Sequence, residues 1–513
     1  MKKRFAIFVL LIIVSTHIHA LTGLELKVEA QTTIADGDYS PLWLNANKYG
    51  LSSLDTSNGY LRTLIQRPLT LDSAYRWGLS YGADIAVGYG MTSSFVVQQA
   101  FAEVRWLKGL LTVGSKEIPA ELKNNELSSG SQCLGINARP IPQVRLALPD
   151  YVNIPGMKGW LGLKGHLSYG VFTDDDWQKD FTQCLSKHTE NTLFHSKAGY
   201  LKLQKPNGKL SIEIGLEMAC EFGGRSMIKD KNGNYRYDEK NKSNLQSFWR
   251  AFIPGGNDHE LTRGEDQEYK GAEGNHVGAW TFHFSWNEPS WGISIYGDHY
   301  FEDISQMFHL DYDGYTTGSD WQKKENKRFL LYDLKDILIG LELTLPRCKW
   351  LSNVLIEYIN TTYQSGPIFV NHTKYLPDHI GGKDNYYQHG IYTGWQHWGQ
   401  VIGNPLYRSP LYNTDGVITS EDTRFKAFHF GLSGNVFRRL HYRLLGTIQK
   451  GFGTYNKPFD DPQRNFSMLV EADYSFKAYA GEWNVRCGLG MDRGMLLGDN
   501  LGIQATISKS FKL

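Results

Sequence analysis

The side chains best suited to chemistry are aromatic residues in one late segment, DNYYQHGIYTGWQHWGQ, which begins at Asp384. Aromatic faces stack on the C–H faces of sugar rings, while neighbouring amides and carboxylates hydrogen-bond the hydroxyls. Such a surface binds glycans without needing charge. The same rings can instead pack against one another and hold a long loop rigid, and both interpretations stay open. The candidate glycan-binding residues of this segment are Tyr386, Tyr387, Tyr392, Trp395, His397 and Trp398.

Other reactive side chains lack the spacing of catalytic or metal sites. Ser80 lies in a GxSxG string, GLSYG, but strand-like alternation continues through it, whereas a hydrolase serine needs a strand-to-helix turn. The acidic stretches at 174–176 and from Asp230 lack the sixth-position glycine of a calcium loop. His389 and His397 lack the spacing and carboxylate partner of a zinc site. We therefore predict a protein that is not an enzyme and that holds neither a metal nor a cofactor.

The N-terminus has the composition of a secretory signal. Basic residues at 2–4 precede a short apolar stretch from Phe5, and the small residue Ala20 follows. The stretch is shorter than the roughly 20 residues of a membrane-spanning helix. We predict a signal peptide at 1–20 and one outer-membrane barrel domain at 21–513. Removing the signal lowers the formal charge from +1 to about −2, which argues against nucleic acid as a partner.

Most of the mature chain alternates apolar and polar residues with a period of two. In the last stretch Leu501 and Ile503 share one face, while Gln504 and Thr506 share the other. Similar stretches recur from residue 24 onward and number about 18, an even count as outer-membrane barrels require. No stretch after the signal is long and apolar enough for a transmembrane helix. The pattern predicts an all-β fold, a transmembrane antiparallel outer-membrane β-barrel with outer-membrane lipid around it.

The connections between these stretches support the same fold. Those after even-numbered strands are mostly short, such as 107–109 and 204–208, and are typical of periplasmic turns. Those after odd-numbered strands are mostly long, including 223–275 and 363–423, and are typical of extracellular loops. A barrel of this size can enclose a water-filled lumen. Loops of this length can also fold back and close it, and the sequence does not decide between the two.

A second polar loop, 117–141, has two possible roles. It contributes to the glycan site, for which Asn137 and Arg139 are the candidate residues, or it plugs the lumen. Its polar side chains are Lys123, Asn124, Glu126, Ser128, Ser129, Asn137 and Arg139.

Several strings spread over the mature chain resemble one known family. They are TTIADGDYSPLWLNANKYGLSS from Thr32, GSKEIPAELKNNELSSG from Gly114, NARPIPQVR from Asn137, FTDDDWQKDF from Phe172, FEDISQMF from Phe301 and YTGWQHWGQVIGNPL from Tyr392. In these strings the chain resembles the Wzi-type capsule-assembly proteins, in their Bacteroides-type branch. The resemblance implies a barrel of about 18 strands in the outer membrane of a Gram-negative bacterium. It also implies helical segments near the periplasmic end, for which 41–57 is the candidate helix or plug.

The resemblance also implies a lectin-like function, which is to bind newly exported capsular polysaccharide and help organise it at the cell surface. Capsular or another surface polysaccharide is then the expected partner, while the oligomeric state stays open. The alternative function, from the expected width of the lumen, is a porin or specific solute channel. A third possibility, an outer-membrane hydrolase or acyltransferase, lacks a convincing nucleophile or acid–base set. The aromatic segment is chosen by residue chemistry and not by the resemblance.

Overall fold

A computed structural model describes residues 23–71, 76–254, 274–302, 316–323, 336–371, 373–376, 379–478 and 481–512. The predicted signal peptide lies outside the described residues.

Eighteen strands form one closed antiparallel sheet. Each strand pairs with its neighbours in sequence, and the last strand pairs with the first, with Glu25 opposite Lys512 and Ile34 opposite Ile503. Closure leaves the sheet without an unpaired edge. The predicted antiparallel barrel is confirmed, and its strands are β1 Glu25–Asp36, β2 Ser57–Leu71, β3 Trp77–Tyr89, β4 Phe95–Trp106, β5 Gly109–Ser115, β6 Gln143–Asn153, β7 Leu161–Val171, β8 Leu193–Gln204, β9 Leu210–Phe222, β10 Asn275–Asn287, β11 Gly292–Glu302, β12 Ile337–Thr344, β13 Asn353–Asn360, β14 Phe425–Phe437, β15 Leu440–Gly453, β16 Pro458–Ala478, β17 Gly481–Gly494 and β18 Asn500–Lys512.

The two faces of each strand follow the alternation in the sequence. In β18, Leu501 and Ile503 are exposed on the outer wall, whereas Gln504 and Thr506 are buried towards the lumen. The exposed apolar side chains of the other strands continue this band around the barrel. Transmembrane barrels have such an outward apolar band because lipid surrounds them. No helix among the described residues is long and apolar enough to cross a membrane.

The two ends of the barrel differ in their connections. Long segments leave β1, β5, β7, β9, β11 and β13, all at the same end, which we call the long-loop end. The opposite end, which we call the short-turn end, has only connections of a few residues. Aromatic residues flank that end on the outer wall, where Trp77 stacks on Trp106 with ring centroids 6.0 Å apart. Aromatic belts of this kind are typical of barrels at the membrane–water interface.

The long segments carry the helices and the remaining strands that the structure describes. The α-helices are α1 Leu42–Asn45, α2 Trp177–Thr182 and α3 Leu245–Phe252, and the 3-10 helices are Gly318–Asp320 and Pro410–Tyr412. The short strands are His188–Glu190, Arg225–Lys229, Tyr235–Lys240, Ser365–Asn371, His379–Lys383, Gln396–His397 and Gln400–Val401.

Three long segments fold back into the lumen and fill it. We call residues 37–56, 116–142 and 383–424 the plug. Their apolar side chains form one buried cluster with inward residues of the wall, among them Tyr300 and Leu355. The predicted helix or plug at 41–57 is part of it, although its only helix, α1, packs beside the long-loop half of β17 and not near the short-turn end.

The wall holds the plug through buried carboxylates that accept backbone N–H groups. Asp492 accepts from the N–H of Leu42 at 3.0 Å, and Glu357 accepts from the N–H of Ser129 at 2.8 Å. A carboxylate that accepts an N–H forms a charge-assisted hydrogen bond, which is stronger than a neutral one. Polar inward positions of the strands therefore bind the plug instead of lining open water.

Candidate functional site

Three of the six aromatic candidates lie in the centre of the plug. Tyr386, Tyr387 and Trp395 expose 2 % of their surface or less. The ring of Tyr387 stacks on Tyr407 with centroids 3.9 Å apart, and the indole N–H of Trp395 donates to the carbonyl of Cys133 at 2.9 Å. As placed, these three rings have no free face for a sugar. Their geometry corresponds to the packing interpretation of the segment.

Tyr392 and His397 are buried as well. Tyr392 packs against His389 with ring centroids 5.2 Å apart. Nδ1 of His397 lies 2.8 Å from the carbonyl oxygen of Arg139, and its Nε2 lies 2.7 Å from the carbonyl oxygen of Thr173. Burial lowers the pKa of His397 to about 4, so the imidazole is neutral and its single N–H donates to one of these two carbonyls. His397 joins the plug to the start of the loop after β7.

Asn137 is buried and joins two other parts of the plug. Its Oδ1 accepts from the backbone N–H of Asn47 at 3.0 Å, and its Nδ2 donates to the carbonyl of Val401 at 2.9 Å. Both functions of the amide are used within the plug. Asn137 therefore has a structural role in this arrangement.

Trp398 is the aromatic candidate that keeps part of its ring accessible. It is half-buried, and the guanidinium of Arg139 lies 4.1 Å from its ring centroid, a cation–π contact. Arg139 also donates to Oγ1 of Thr92 at 2.7 Å, and burial lowers its pKa to about 10. The structure thus brings the guanidinium of the candidate Arg139 against the ring of the candidate Trp398.

A narrow polar cleft lies beside Trp398 at the long-loop end. Its volume of about 20 Å³ accepts a hydroxyl group or a water molecule, so a sugar ring would lie across its mouth. Carboxylate, amide and hydroxyl groups beside an aromatic ring are the chemistry expected of a glycan site. The side chains that line the cleft include Asp174, Gln178, Asn191, Glu221, Thr393, Gln396 and Trp398.

Asp174, Gln178 and Asn191 are additions to the residues that the sequence singled out. In the sequence, Asp174 stands in an acidic stretch without the spacing of a calcium loop, and the string FTDDDWQKDF supports only the family resemblance. The sequence offered one signal for these residues. They lie in a long loop after an odd-numbered strand, and such loops share one end of a barrel with the aromatic segment.

A larger chamber lies between the plug and the wall strands β6–β9. Its volume is about 110 Å³, and Arg139, Gln143, Arg145 and His166 are among the side chains that line it. Nε of Arg139 and Oε1 of Gln143 are buried and have no hydrogen-bond partner in the protein. Unpaired buried polar atoms are normally satisfied by water or a ligand. The chamber is therefore suited to polar occupants.

Residues 116–126, which we call the floor segment, run below the chamber and contact six strands of the wall. Three buried or half-buried ion pairs illustrate its attachment: Glu117 to Arg62 at 2.9 Å, Glu121 to Lys164 at 2.5 Å and Lys123 to Asp298 at 3.0 Å. Further contacts join Lys116 to Glu103, Asn124 to Glu342 and Glu126 to His441. Loop 117–141 lies in the lumen as part of the plug, and its Arg139 also contacts Trp398.

Within the described residues, no group of three or more histidine, cysteine, aspartate or glutamate side chains could hold a metal ion.

Comparisons with known proteins concern the fold. Neither a protein-family model nor a curated protein sequence matches the chain. Among solved structures, the chain is similar to Wzi of Escherichia coli, described as an outer-membrane protein involved in group 1 capsule assembly and a carbohydrate-binding β-barrel, with 13 % identity, a TM-score of 0.54 and coverage of 98 % of this chain and 87 % of that one. OccK5 of Pseudomonas aeruginosa matches with 8 % identity, a TM-score of 0.46 and coverage of 96 % and 98 %. The chain therefore has the closed 18-strand fold of outer-membrane barrel proteins.

Proposed function

We propose that this chain is a non-enzymatic outer-membrane barrel that binds capsular or other surface polysaccharide and helps to assemble or attach it at the cell surface. The long-loop end faces the cell exterior, and the signal peptide is removed on export. The observation that carries the proposal is the cleft beside Trp398, a partly accessible aromatic ring amid amide and carboxylate side chains at the end of a plugged barrel.

The plug supports binding at the surface over passage through the lumen. A polysaccharide chain is too wide to pass the buried rings of Tyr386, Tyr387 and Trp395, which fill the centre of the barrel. It can reach Trp398 from the long-loop end, where the ring is half-buried. The guanidinium of Arg139 holds this ring by a cation–π contact. One stacked aromatic ring and several hydrogen bonds give weak binding per sugar unit, which a polymer with many units can strengthen through repeated contacts.

The similarity to Wzi adds support at the level of the fold. That protein is described as a carbohydrate-binding barrel involved in capsule assembly. Our proposal assigns the same class of function to this chain, and membership of the Wzi-type family is part of the proposal.

The experiment that tests the proposal is binding of the refolded barrel to capsular polysaccharide from its own host, with an unrelated capsule as the specificity control. Trp398→Ala should weaken binding about tenfold, because a stacked ring contributes roughly 1 kcal/mol beyond its buried area. Trp350→Ala is the matched control, since Trp350 is an exposed tryptophan in a turn at the opposite end. Equal affinities of the wild type and Trp398→Ala would remove this cleft from the site.

A specific solute channel is the second candidate function. The chamber of about 110 Å³ favours it, together with a vestibule of about 1030 Å³ at the short-turn end that Glu25, Lys27 and Lys512 help to line. Both spaces have charged side chains in their walls. Planar-bilayer recordings discriminate: a stable single-channel step together with no saturable capsule binding would favour the channel.

A further inference from the structure

The outer wall of β8 departs from the apolar pattern close to the long-loop end. Its pairing with β7 and β9 has no register shift, so residues two apart face the same side. Leu201 and Leu203 are exposed on the outer wall, and His195 and Lys197 therefore point outward as well. A lysine on the lipid-facing side of a barrel is destabilising. We therefore expect another part of the chain to shield His195 and Lys197 from lipid.

The loop after β9 supplies the cover by crossing the rim. Gly223 and Gly224 have φ angles of +64° and +73°, a left-handed conformation that turns the chain sharply as it leaves β9. The hairpin 225–240 follows at the long-loop end, and the N–H of Asn241 returns to the carbonyl of Gly224 at 2.9 Å. Helix α3 then begins at an N-cap, Asn244.

Helix α3 lies on the outer wall and binds its polar groups. The Lys197 ammonium donates to the carbonyls of Phe252 and Ala251 at the helix C-terminus. These carbonyls have no partner within the helix and carry its partial negative charge, so they suit a cation. The hydroxyl of Tyr169 donates to the carbonyl of Phe248 at 2.8 Å. The helix thus neutralises or hydrogen-bonds polar groups that would otherwise face lipid.

Apolar contacts complete the inner side of the helix. The ring of Phe248 packs against Tyr169 and Phe222 with centroids 5.2 and 5.1 Å apart. Ala251 is buried in the same cluster, together with Cys220 of β9. Tyr169, Cys220 and Phe222 all have the outward parity of their strands, so the whole interface lies outside the barrel.

The opposite side of the helix is apolar and uncovered. Leu245, Trp249 and Ile253 are 90, 59 and 49 % exposed, and their spacing of four residues puts them in one stripe. The stripe is continuous with the apolar outer wall, because Leu201 and Ile214 are exposed on the same strands nearer the short-turn end. An apolar stripe with a tryptophan is typical of helices that lie in the membrane interface.

We propose that helix α3 is an interfacial membrane helix whose Leu245, Trp249 and Ile253 side chains enter the lipid hydrocarbon of the outer leaflet, beside the barrel. The proposal needs the barrel to span a membrane and is independent of glycan binding. It gives the hairpin 225–240 an attachment on each side of the barrel wall. One is the membrane, through α3, and the other is the plug, through the Ser226 hydroxyl, which donates to the carbonyl of Ile391 at 2.6 Å.

Quenching of tryptophan emission by lipids brominated on their acyl chains tests the proposal. The refolded barrel is placed in phosphatidylcholine vesicles with and without bromine, and the emission of Trp249 is taken as the difference between the wild type and Trp249→Phe. We expect that difference to fall about twofold or more in brominated vesicles. Trp106→Phe is the matched positive control, with the same 59 % exposure on the lipid-facing band, and Trp398→Phe is the negative control inside the plug.

A second variant separates lipid contact from protein contact. Leu245→Asp with Ile253→Asp should abolish the quenching of Trp249 by bromine while the barrel keeps its resistance to unfolding by detergent. Unquenched Trp249 beside quenched Trp106 in the wild type would overturn the proposal. Quenching that decreases as more protein is added per vesicle, together with cross-linked dimers, would also overturn it and would assign the stripe to a second copy of the chain.

Discussion

The floor segment and the aromatic centre of the plug fill the same lumen by opposite means. The floor segment uses charges, each paired with a charged or polar side chain of the wall. The aromatic centre, which comprises Tyr300, Tyr386, Tyr387, Tyr407 and Phe425, uses stacked and edge-on rings. The difference corresponds to solvent exposure, because side chains of the floor segment are partly exposed at several positions, whereas the rings are buried.

The comparison explains how wall strands with polar side chains on their inward faces can pack against a plug whose centre is aromatic. Tyrosine has a ring that packs and a hydroxyl that bonds, so it suits both surroundings. The Tyr300 hydroxyl donates to Glu302 at 2.6 Å, and the Tyr386 hydroxyl donates to Asp336 at 3.0 Å. The rings thus cover the carboxylates from water while their hydroxyls satisfy them. We expect the aromatic centre to contribute more stability than the exposed pairs of the floor segment.

The largest expected effect is at the aromatic centre. Tyr387→Ala removes a ring stacked 3.9 Å from Tyr407 and leaves a cavity, so we expect a loss of about 4 kcal/mol in the free energy of unfolding. Urea unfolding in lipid vesicles, followed by tryptophan emission, measures it. Tyr375→Ala is the control, because Tyr375 is 80 % exposed and its loss should change stability by less than about 0.5 kcal/mol. Similar values for the two variants would contradict the distinction between the regions.

The next effect is at the buried middle of the floor segment. Lys123 and Asp298 form an ion pair 3.0 Å long with side chains 2 and 1 % exposed. Lys123→Met leaves the carboxylate of Asp298 buried without its cation, and we expect a loss of about 3 kcal/mol in the same unfolding assay.

Two further variants sharpen this prediction. Glu121→Gln breaks the Glu121–Lys164 pair, whose side chains are 26 and 19 % exposed, and should cost only about 0.5 kcal/mol. The double variant Lys123→Met with Asp298→Asn should recover part of the loss, because no charge is then left alone in the interior. If Lys123→Met and Glu121→Gln destabilise equally, burial does not determine the strength of these pairs.

The strands were predictable because the membrane imposes a local pattern on each of them. Every predicted strand corresponds to an observed one, and the discrepancies have physical causes. The alternation in the sequence is weakest at 142–148, the first part of β6, and the strand continues to Asn153 past a register shift between Leu148 and Val152. In β16 the alternation is evident only at 465–476, because the exposed polar residues at the start of the strand, 458–464, form no apolar face.

The site was less predictable, because its contacts join residues far apart in the sequence. Tyr387, Trp395 and Trp398 have the same local surroundings of glycine, amide and aromatic residues. Burial of the first two depends on Gln132 and Cys133, which lie more than 250 positions earlier. Loops lack the residue periodicity of strands, so a single sequence does not indicate which distant residues a loop contacts. Which ring packs and which stays accessible is therefore a property of the folded lumen.

The last prediction concerns an effect of pH on a cation of the plug outside the floor segment. Lys48 lies half-buried beside Gln504 and near Glu471, and burial lowers the pKa of its ammonium group to about 7, against a partial increase from Glu471. The unfolded chain keeps its proton until about pH 10. Between these values the folded state has lost a proton that the unfolded state still holds, so stability should rise with pH, by at most about 1.4 kcal/mol per unit.

Lys48→Met isolates this contribution from the other groups that titrate. It removes the ammonium and keeps most of the apolar stem, so its stability should lack the component that rises between about pH 7 and pH 10. Below pH 7 the variant should be more stable than the wild type, because the wild type then buries a full charge. Unfolding free energies of both proteins at several pH values give the difference directly. A difference that is independent of pH would mean that Lys48 reaches water inside the plug, and the lumen beside it would then be hydrated like the exposed parts of the floor segment.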